Sequence, residues 1–95
     1  GDLPQAGEKY WGAVTALLNA IAEKRGLPHY GRRDYAEIIE FLVEERGDEE
    51  LPRLFASAER LHANSYHGFL KQTSFRAHRE DVLKLVEKLK GLLNG

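Results

Sequence analysis

The stretch from Arg53 to Leu70 carries the largest set of side chains that could do chemistry. Within it Arg60, Asn64 and His67 follow one another at steps of four and three residues, which places them on one side of an α-helix. A histidine transfers protons near neutral pH, and an arginine holds a phosphate. An RNA-cleaving site needs a general acid or base with a pKa near neutral and a cation that holds the phosphate. His67 and Arg60 are the right residue types, and the Asn64 amide could donate to a phosphate oxygen. The alternative interpretation is that this is a solvated polar face.

The spacing of Arg60 and His67 also suggests how such a site would be assembled. The two residues differ by about 20° around a helix and lie roughly 10 Å apart along it. One helix therefore holds them too far apart for a single phosphate. Two copies that face each other across a twofold axis could bring Arg60 of one and His67 of the other together.

His62 and Tyr66 form a second candidate, one turn apart on the flank of the apolar stripe of the same helix. They could line a binding pocket, or His62 could be a half-buried histidine whose hydrogen bonds are satisfied by its neighbours. His62 and His67 are five residues apart, whereas two zinc ligands on one helix are usually four apart. We therefore expect no metal site and no cofactor.

The loop HYGRRD, residues 29–34, is the most basic loop in the chain. Arg32 and Arg33 lie at the predicted start of a helix, and with Arg25 they could hold a phosphate or carboxylate. The alternative is a solvated loop in which Asp34 offsets the positive charge.

Composition excludes several classes of protein. The chain has 95 residues, which predicts one domain over residues 1–95, and it has no cysteine for a disulfide, a thiol nucleophile or a thiolate metal site. A net charge of -1 argues against non-specific coating of nucleic acid. No apolar run is long enough to span a membrane, so we expect a soluble cytoplasmic protein. The 31% of charged residues is typical of thermophile proteins.

Apolar periodicity predicts four helices and no strand. The first covers about residues 3–25 and ends at Gly26, and the second runs from Gly31 to Gly47. Asp48 is predicted to cap the third, which ends at Tyr66 or His67 before Gly68. Thr73 or Ser74 is predicted to cap the fourth. Four amphipathic helices with short loops predict an up-down antiparallel four-helix bundle.

The apolar faces define the expected core. Leu17, Ile39, Leu61 and Val86 should form one cluster, because each is central on the face of its helix. Trp11 is predicted at the edge of the first face, and Phe69 continues the third. Phe41 projects away from the second face, so we expect it near a contact between subunits.

Four segments resemble a known family: GDLPQAGEKYWGAV, EKRGLPHYGRRD, LPRLFASAERLHANSYHGF and VLKLVEKL. They are similar to the archaeal paralogous-repeat (PaREP-type) proteins of the higher-eukaryote-and-prokaryote nucleotide-binding (HEPN) superfamily. The most specific piece is Leu61-His62-x-Asn64-x-Tyr66. The resemblance implies a dimeric HEPN-like helical bundle, and members of the superfamily are often RNases or partners of nucleotidyltransferases.

The superfamily's catalytic signature is an arginine followed, after four to six residues, by a histidine. Arg60 and His67 match it with six residues between them, although Leu61 stands where a polar residue is usual. The family usually has another helix before the GD motif, so the chain is expected to be a truncated form whose apolar surface is covered by a partner.

The sequence therefore predicts a homodimeric bundle that binds RNA or a nucleotide through Asn64, His62, Tyr66, Arg32 and Arg33. Arg60 and His67 would be the catalytic residues of a metal-independent endoribonuclease. The alternative function is a non-catalytic assembly or partner-binding module.

Overall fold

The computed structural model describes residues 3–27 and 32–95, with side chains for 5–27 and 34–95. It contains four α-helices: α1 (Leu3–Arg25), α2 (Arg32–Arg46), α3 (Glu50–His67) and α4 (Gln72–Asn94). These two ranges contain no strand, which confirms the predicted all-α class. None of their helices combines the length and the apolar character that a bilayer-crossing segment needs.

Three glycines end the first three helices where the sequence predicts. Gly26, Gly47 and Gly68 have φ of 71°, 69° and 60°, in the left-handed region that side chains with a Cβ rarely adopt. After Gly26 the N–H of Leu27 donates to the carbonyl of Ala22 at 2.7 Å, so that Leu27 packs back against the core.

The helix starts agree less closely with prediction. Asp48 does act at the start of α3, where its Oδ1 accepts the N–H of Glu50 at 3.1 Å. The predicted cap of α4 at Thr73 or Ser74 is wrong, because α4 already begins at Gln72 after an extended Lys71. The Lys71 carbonyl accepts the N–H of Phe75 at 2.9 Å, and burial of Phe75 fixes this earlier first turn.

The directions of the helices differ from the up-down pattern. Glu50 near the start of α3 pairs with Lys84 and Lys88 of α4, so these two helices are antiparallel. The end of α1 meets the end of α4, because Lys24 donates to the Leu93 carbonyl. It follows that α1 and α4 are parallel and that α1 is antiparallel to α3.

The second helix explains this departure. Its first turn lies beside the middle of α1, where the Tyr35 hydroxyl accepts a 3.4 Å hydrogen bond from Asn19. Its last turn lies beside the end of α1, where Arg25 pairs with Glu45 at 2.8 Å. Consecutive α1 and α2 therefore do not form the antiparallel hairpin that the up-down prediction required. Instead α1, α3 and α4 surround the core, and α2 packs on α1 and α3.

The core is largely as predicted. Leu61 is fully buried and Ile39 is 2% exposed, which confirms the assigned faces of α3 and α2. Leu17 and Val86 are only partly buried and pack against the same cluster. Trp11, predicted at an edge, is buried at 7% exposure, because α3 covers it.

One close approach sets the separation of α1 and α3. A Cβ placed on Gly7 would lie 2.8 Å from the carbonyl oxygen of Leu61, a distance that real Cβ atoms do not reach. Glycine at this position lets the two backbones approach each other.

Candidate functional site

The last two turns of α3 present a cation and two aromatic rings to solvent. Arg60 and His67 are both exposed, as predicted, and the Arg60 guanidinium lies 4.3 Å from the centroid of the Phe69 ring. Tyr66 is the most exposed large apolar side chain described, at 71%. Phe69 itself is 40% exposed, so its predicted place on the apolar face is wrong, because α3 ends before it. The exposed surface of the α3 C-terminus therefore combines positive charge with aromatic faces.

Asn64 is not part of that surface. The side chain is fully buried, and its Oδ1 accepts the N–H of Leu70 at 2.8 Å. The backbone carbonyl of Asn64 accepts the N–H of Gly68 at the same time. The prediction that Asn64 donates to a phosphate is therefore wrong, since the amide instead shapes the turn between α3 and α4.

His62 and Tyr66 form part of an aromatic stack against α1. The His62 ring lies nearly parallel to the Trp11 indole with centroids 4.5 Å apart, and the Tyr66 ring meets His62 edge-on at 5.2 Å. Nδ1 of His62 is 3.2 Å from a Glu8 carboxylate oxygen, which also accepts the hydroxyl of Ser65 at 2.7 Å. The His62 side chain is 17% exposed. This geometry fits a half-buried histidine with satisfied hydrogen bonds, and only Tyr66 of the pair is open to a ligand.

A polar cluster between α3 and α4 was missed by the sequence analysis. Ser57, 5% exposed, donates its hydroxyl to Oδ2 of Asp81 at 2.7 Å, and the Ser57 hydroxyl oxygen lies 3.0 Å from Nδ1 of His78. The spacing of His78 and Asp81 along α4 was the available signal, but nothing in the sequence pairs them with Ser57. The cluster lies one turn before Arg60 on α3.

The basic loop contributes less than the sequence suggests. Arg25 is engaged by structure: it makes two hydrogen bonds to the Glu45 carboxylate and a third to the Leu92 carbonyl at 3.3 Å. Nε and Nη2 of Arg25 are therefore committed to contacts within the protein, whereas the buried Nη1 has no hydrogen-bond partner in the described part of the chain. The side chains of Arg32 and Arg33 lie outside the described residues, and their predicted role in anion binding stays a prediction.

A network of ion pairs fixes α4 against the start of α3, at the opposite end from Arg60 and His67. Lys88 contacts Asp48 at 2.7 Å and Glu50 at 3.2 Å, and Lys84 contacts Glu50 at 2.8 Å. The hydrogen bonds from Lys84 and Lys88 lower the pKa of Glu50 from 4.5 to about 2. The same contacts lower the pKa of Asp48 and raise that of Lys88.

Phe41 lines an apolar groove between α2 and Leu27, which follows the end of α1. The groove has a volume of about 230 Å³ and is lined by Leu27, Glu37, Ile38 and Phe41. Phe41 is 37% exposed, as expected from its position off the α2 face.

These arrangements limit the chemistry that the surface supports. Within residues 3–27 and 32–95, no three side chains of the metal-ligating types lie close enough to hold an ion. The exposed groups at the α3 C-terminus are instead suited to hold a phosphate, stack on a base and transfer a proton.

Comparison with known proteins identifies the family and nothing more specific. Neither the curated proteins nor the solved structures contain a significant match to this chain. The model of the archaeal PaREP1/PaREP8 family matches residues 1–86, which include α1, α2, α3 and most of α4. The chain therefore belongs to the archaeal PaREP1/PaREP8 family.

Proposed function

We propose that this protein binds single-stranded RNA as a homodimer, through the exposed surface of the last two turns of α3. The observation that carries the proposal is the exposed contact of Arg60 with the Phe69 ring. Tyr66, at 71% exposure, is a second exposed ring near the C-terminal end of α3. Proteins that bind single strands combine cations along the phosphates with aromatic rings on which bases stack. Because the net charge is -1, this local patch must supply the attraction. The resemblance to HEPN proteins supports the same function.

Binding is tested with a labelled single-stranded RNA oligonucleotide, by fluorescence anisotropy at two or more salt concentrations. Arg60→Ala should weaken binding and reduce the slope of log affinity against log salt by about 1. Tyr66→Ala should lose about 1–3 kcal/mol of binding free energy, whereas Tyr66→Phe keeps the ring and the affinity. Lys90→Ala on α4 is the matched control for lost charge. If Arg60→Ala and Lys90→Ala have the same effect, the patch is not the binding site.

We further propose that the bound RNA is cleaved without a metal ion. The 2′-hydroxyl attacks the adjacent phosphate, His67 accepts its proton, and Arg60 stabilises the charge on the phosphate. The bond to the 5′-oxygen breaks, and that oxygen takes a proton from water. The products should carry 2′,3′-cyclic phosphate and 5′-hydroxyl ends, in the presence of EDTA. Cleavage of DNA at the same rate, or full activity in His67→Ala, would contradict this mechanism.

The groove around Phe41 supports the proposed dimer, and it is equally compatible with the alternative function of a partner-binding module. An exposed phenylalanine beside an apolar groove is typical of a protein contact. Light scattering should show a dimer that Phe41→Ser converts to a monomer. Leu83→Ser is the matched control, because Leu83 is 47% exposed on α4. A wild-type monomer at micromolar concentration would contradict both the dimer and a catalytic site shared between two chains.

A further inference from the structure

The direction in which the Ser57 hydroxyl donates its single proton determines which ring nitrogen of a neutral His78 is protonated. An ionised carboxylate only accepts hydrogen bonds, so the 2.7 Å contact with Asp81 places the Ser57 proton on the line to Asp81. The 3.0 Å contact between the Ser57 oxygen and Nδ1 of His78 then needs a proton from the histidine. His78 is therefore protonated at Nδ1, and its neutral form has a lone pair at Nε2.

The free nitrogen of His78 faces outward. Nε2 has no hydrogen-bond partner within the described part of the chain, and it is not among the buried unpaired atoms found there. His78 is half-buried at the boundary between α3 and α4. A neutral His78 thus presents a hydrogen-bond acceptor to solvent, and its ring is oriented by the part-buried contact of Nδ1 with Ser57.

A cation lies about one turn further along α3 than the Ser57 hydroxyl that contacts His78. Arg60 follows Ser57 by three residues on α3, and side chains at this spacing are neighbours on a helix surface. Asn64, one turn further along, holds the turn into α4 through Leu70, so the two helices stay adjacent over this length. Phe69 keeps the Arg60 guanidinium at this end of the bundle.

A cation beside a neutral acceptor fits a ligand in which an anion and a hydroxyl are close neighbours. A ribonucleotide has this chemistry, because its 2′-hydroxyl is next to the 3′-phosphate. DNA has the phosphate without the hydroxyl, and the hydroxyl is what allows a protein to distinguish RNA from DNA.

We propose that Nε2 of His78 accepts a hydrogen bond from a ribose 2′-hydroxyl whose neighbouring phosphate is bound by Arg60, so that this surface selects RNA over DNA. The inference rests on the proposed function, because it needs a nucleic acid at the C-terminal end of α3. Ser57 and Asp81 are positioning residues, which hold the His78 proton on Nδ1.

The state of His78 is tested directly by NMR of protein labelled with ¹⁵N-histidine. Long-range proton–nitrogen correlations should show His78 protonated at Nδ1, with an unprotonated Nε2 at alkaline pH. Ser57→Ala should shift His78 towards the other tautomer, whereas Ser57→Thr keeps the hydroxyl and the Nδ1–H form. A wild-type His78 protonated at Nε2 would overturn the proposal.

Selectivity is tested with three single-stranded oligonucleotides of one sequence: RNA, DNA and 2′-O-methyl RNA, which keeps the ribose but cannot donate. Loss of one hydrogen bond predicts that the wild type binds RNA about fivefold more tightly than either of the others. His78→Phe should remove this preference and leave DNA affinity unchanged. The 2′-O-methyl comparison needs no variant, so it stands even if His78→Phe fails to fold.

The outcomes separate this inference from the proposed function. If binding depends on Arg60 but His78→Phe keeps the RNA preference of the wild type, only the proposed role of His78 is overturned. Equal wild-type affinity for RNA and 2′-O-methyl RNA would overturn that role as well. If no oligonucleotide binds, the proposed function fails and the inference fails with it.

Discussion

Arg60 and Asn64 lie one turn apart on α3 and have opposite environments. Arg60 is exposed and contacts the Phe69 ring, whereas Asn64 is fully buried and accepts the Leu70 N–H. A buried amide with a backbone partner is a structural group, because removal of the amide leaves that N–H without an acceptor. The exposed residues of this helix can therefore change during evolution without loss of the turn that presents them.

We expect Asn64→Ala to lower the free energy of unfolding by about 1–3 kcal/mol, because the part-buried Leu70 N–H loses its acceptor and the buried amide is removed. Urea unfolding followed by circular dichroism measures this. Asn94→Ala removes an exposed asparagine in the last turn of α4 and should change stability little. Equal midpoints for the two variants would show that the Leu70 contact does not stabilise the turn.

At the scale of elements, the sequence predicted well which segments are helical, and poorly which helices pack against each other. Periodicity and the stops at Gly26, Gly47 and Gly68 identified where helices lie, because these signals are local. Periodicity gives an angle around a helix axis, but it does not show which other helix covers that angle. Asn64 was assigned to the polar face for this reason, since the turn before α4 covers it. Ser57, His78 and Asp81 were missed because their contacts cross between helices.

The close approach of α1 and α3 allows a prediction with an internal control. Gly7→Ala would force a Cβ against the Leu61 carbonyl, and we expect a loss of about 1–3 kcal/mol of stability. Gly12→Ala, on the same helix with nothing within 4 Å, should gain about 0.5–1 kcal/mol. Thermal melts of the two variants should shift in opposite directions. Stabilisation by both would show that α1 can move away from α3 without cost.

At the scale of the whole molecule, structural and exposed charges are at different ends of the bundle. At one end, ion pairs hold the helices together. They join Arg25 to Glu45, and Lys88 to Asp48 and Glu50. Arg60 and His67 are exposed at the other. Because these ion pairs are distant from Arg60 and His67, changes in them should affect stability and leave the proposed RNA binding intact.

The Glu50 network predicts a stability that depends on acid pH. The pKa of the Glu50 carboxyl falls from 4.5 to about 2 on folding. The ion pairs of Glu50 therefore stabilise the protein above pH 4.5, and this stabilisation is lost as the pH falls towards 2. The melting temperature of the wild type should exceed that of Glu50→Gln near neutral pH, and the difference should shrink across this window. Glu87→Gln is the control, since Glu87 is 75% exposed and contacts Lys90 at 3.5 Å. A difference that is unchanged down to pH 2 would contradict the role of the network.

The position of α2 has a consequence for how the native state opens. α2 packs on α1 and α3, and within the described residues no Cα atom of α2 lies within 8 Å of a Cα atom of α4. Its release leaves the packing of the other three helices intact, so α2 should behave as a separate cooperative unit in hydrogen exchange. We expect α2 amides to exchange through an opening of lower free energy than that of α3. Glu45→Gln, which weakens the tether to Arg25, should speed exchange in α2 and leave α3 protected. In such an opening the inner face of α2, with Ile38, Ile39 and Leu42, would be exposed beside Phe41 as one larger apolar surface.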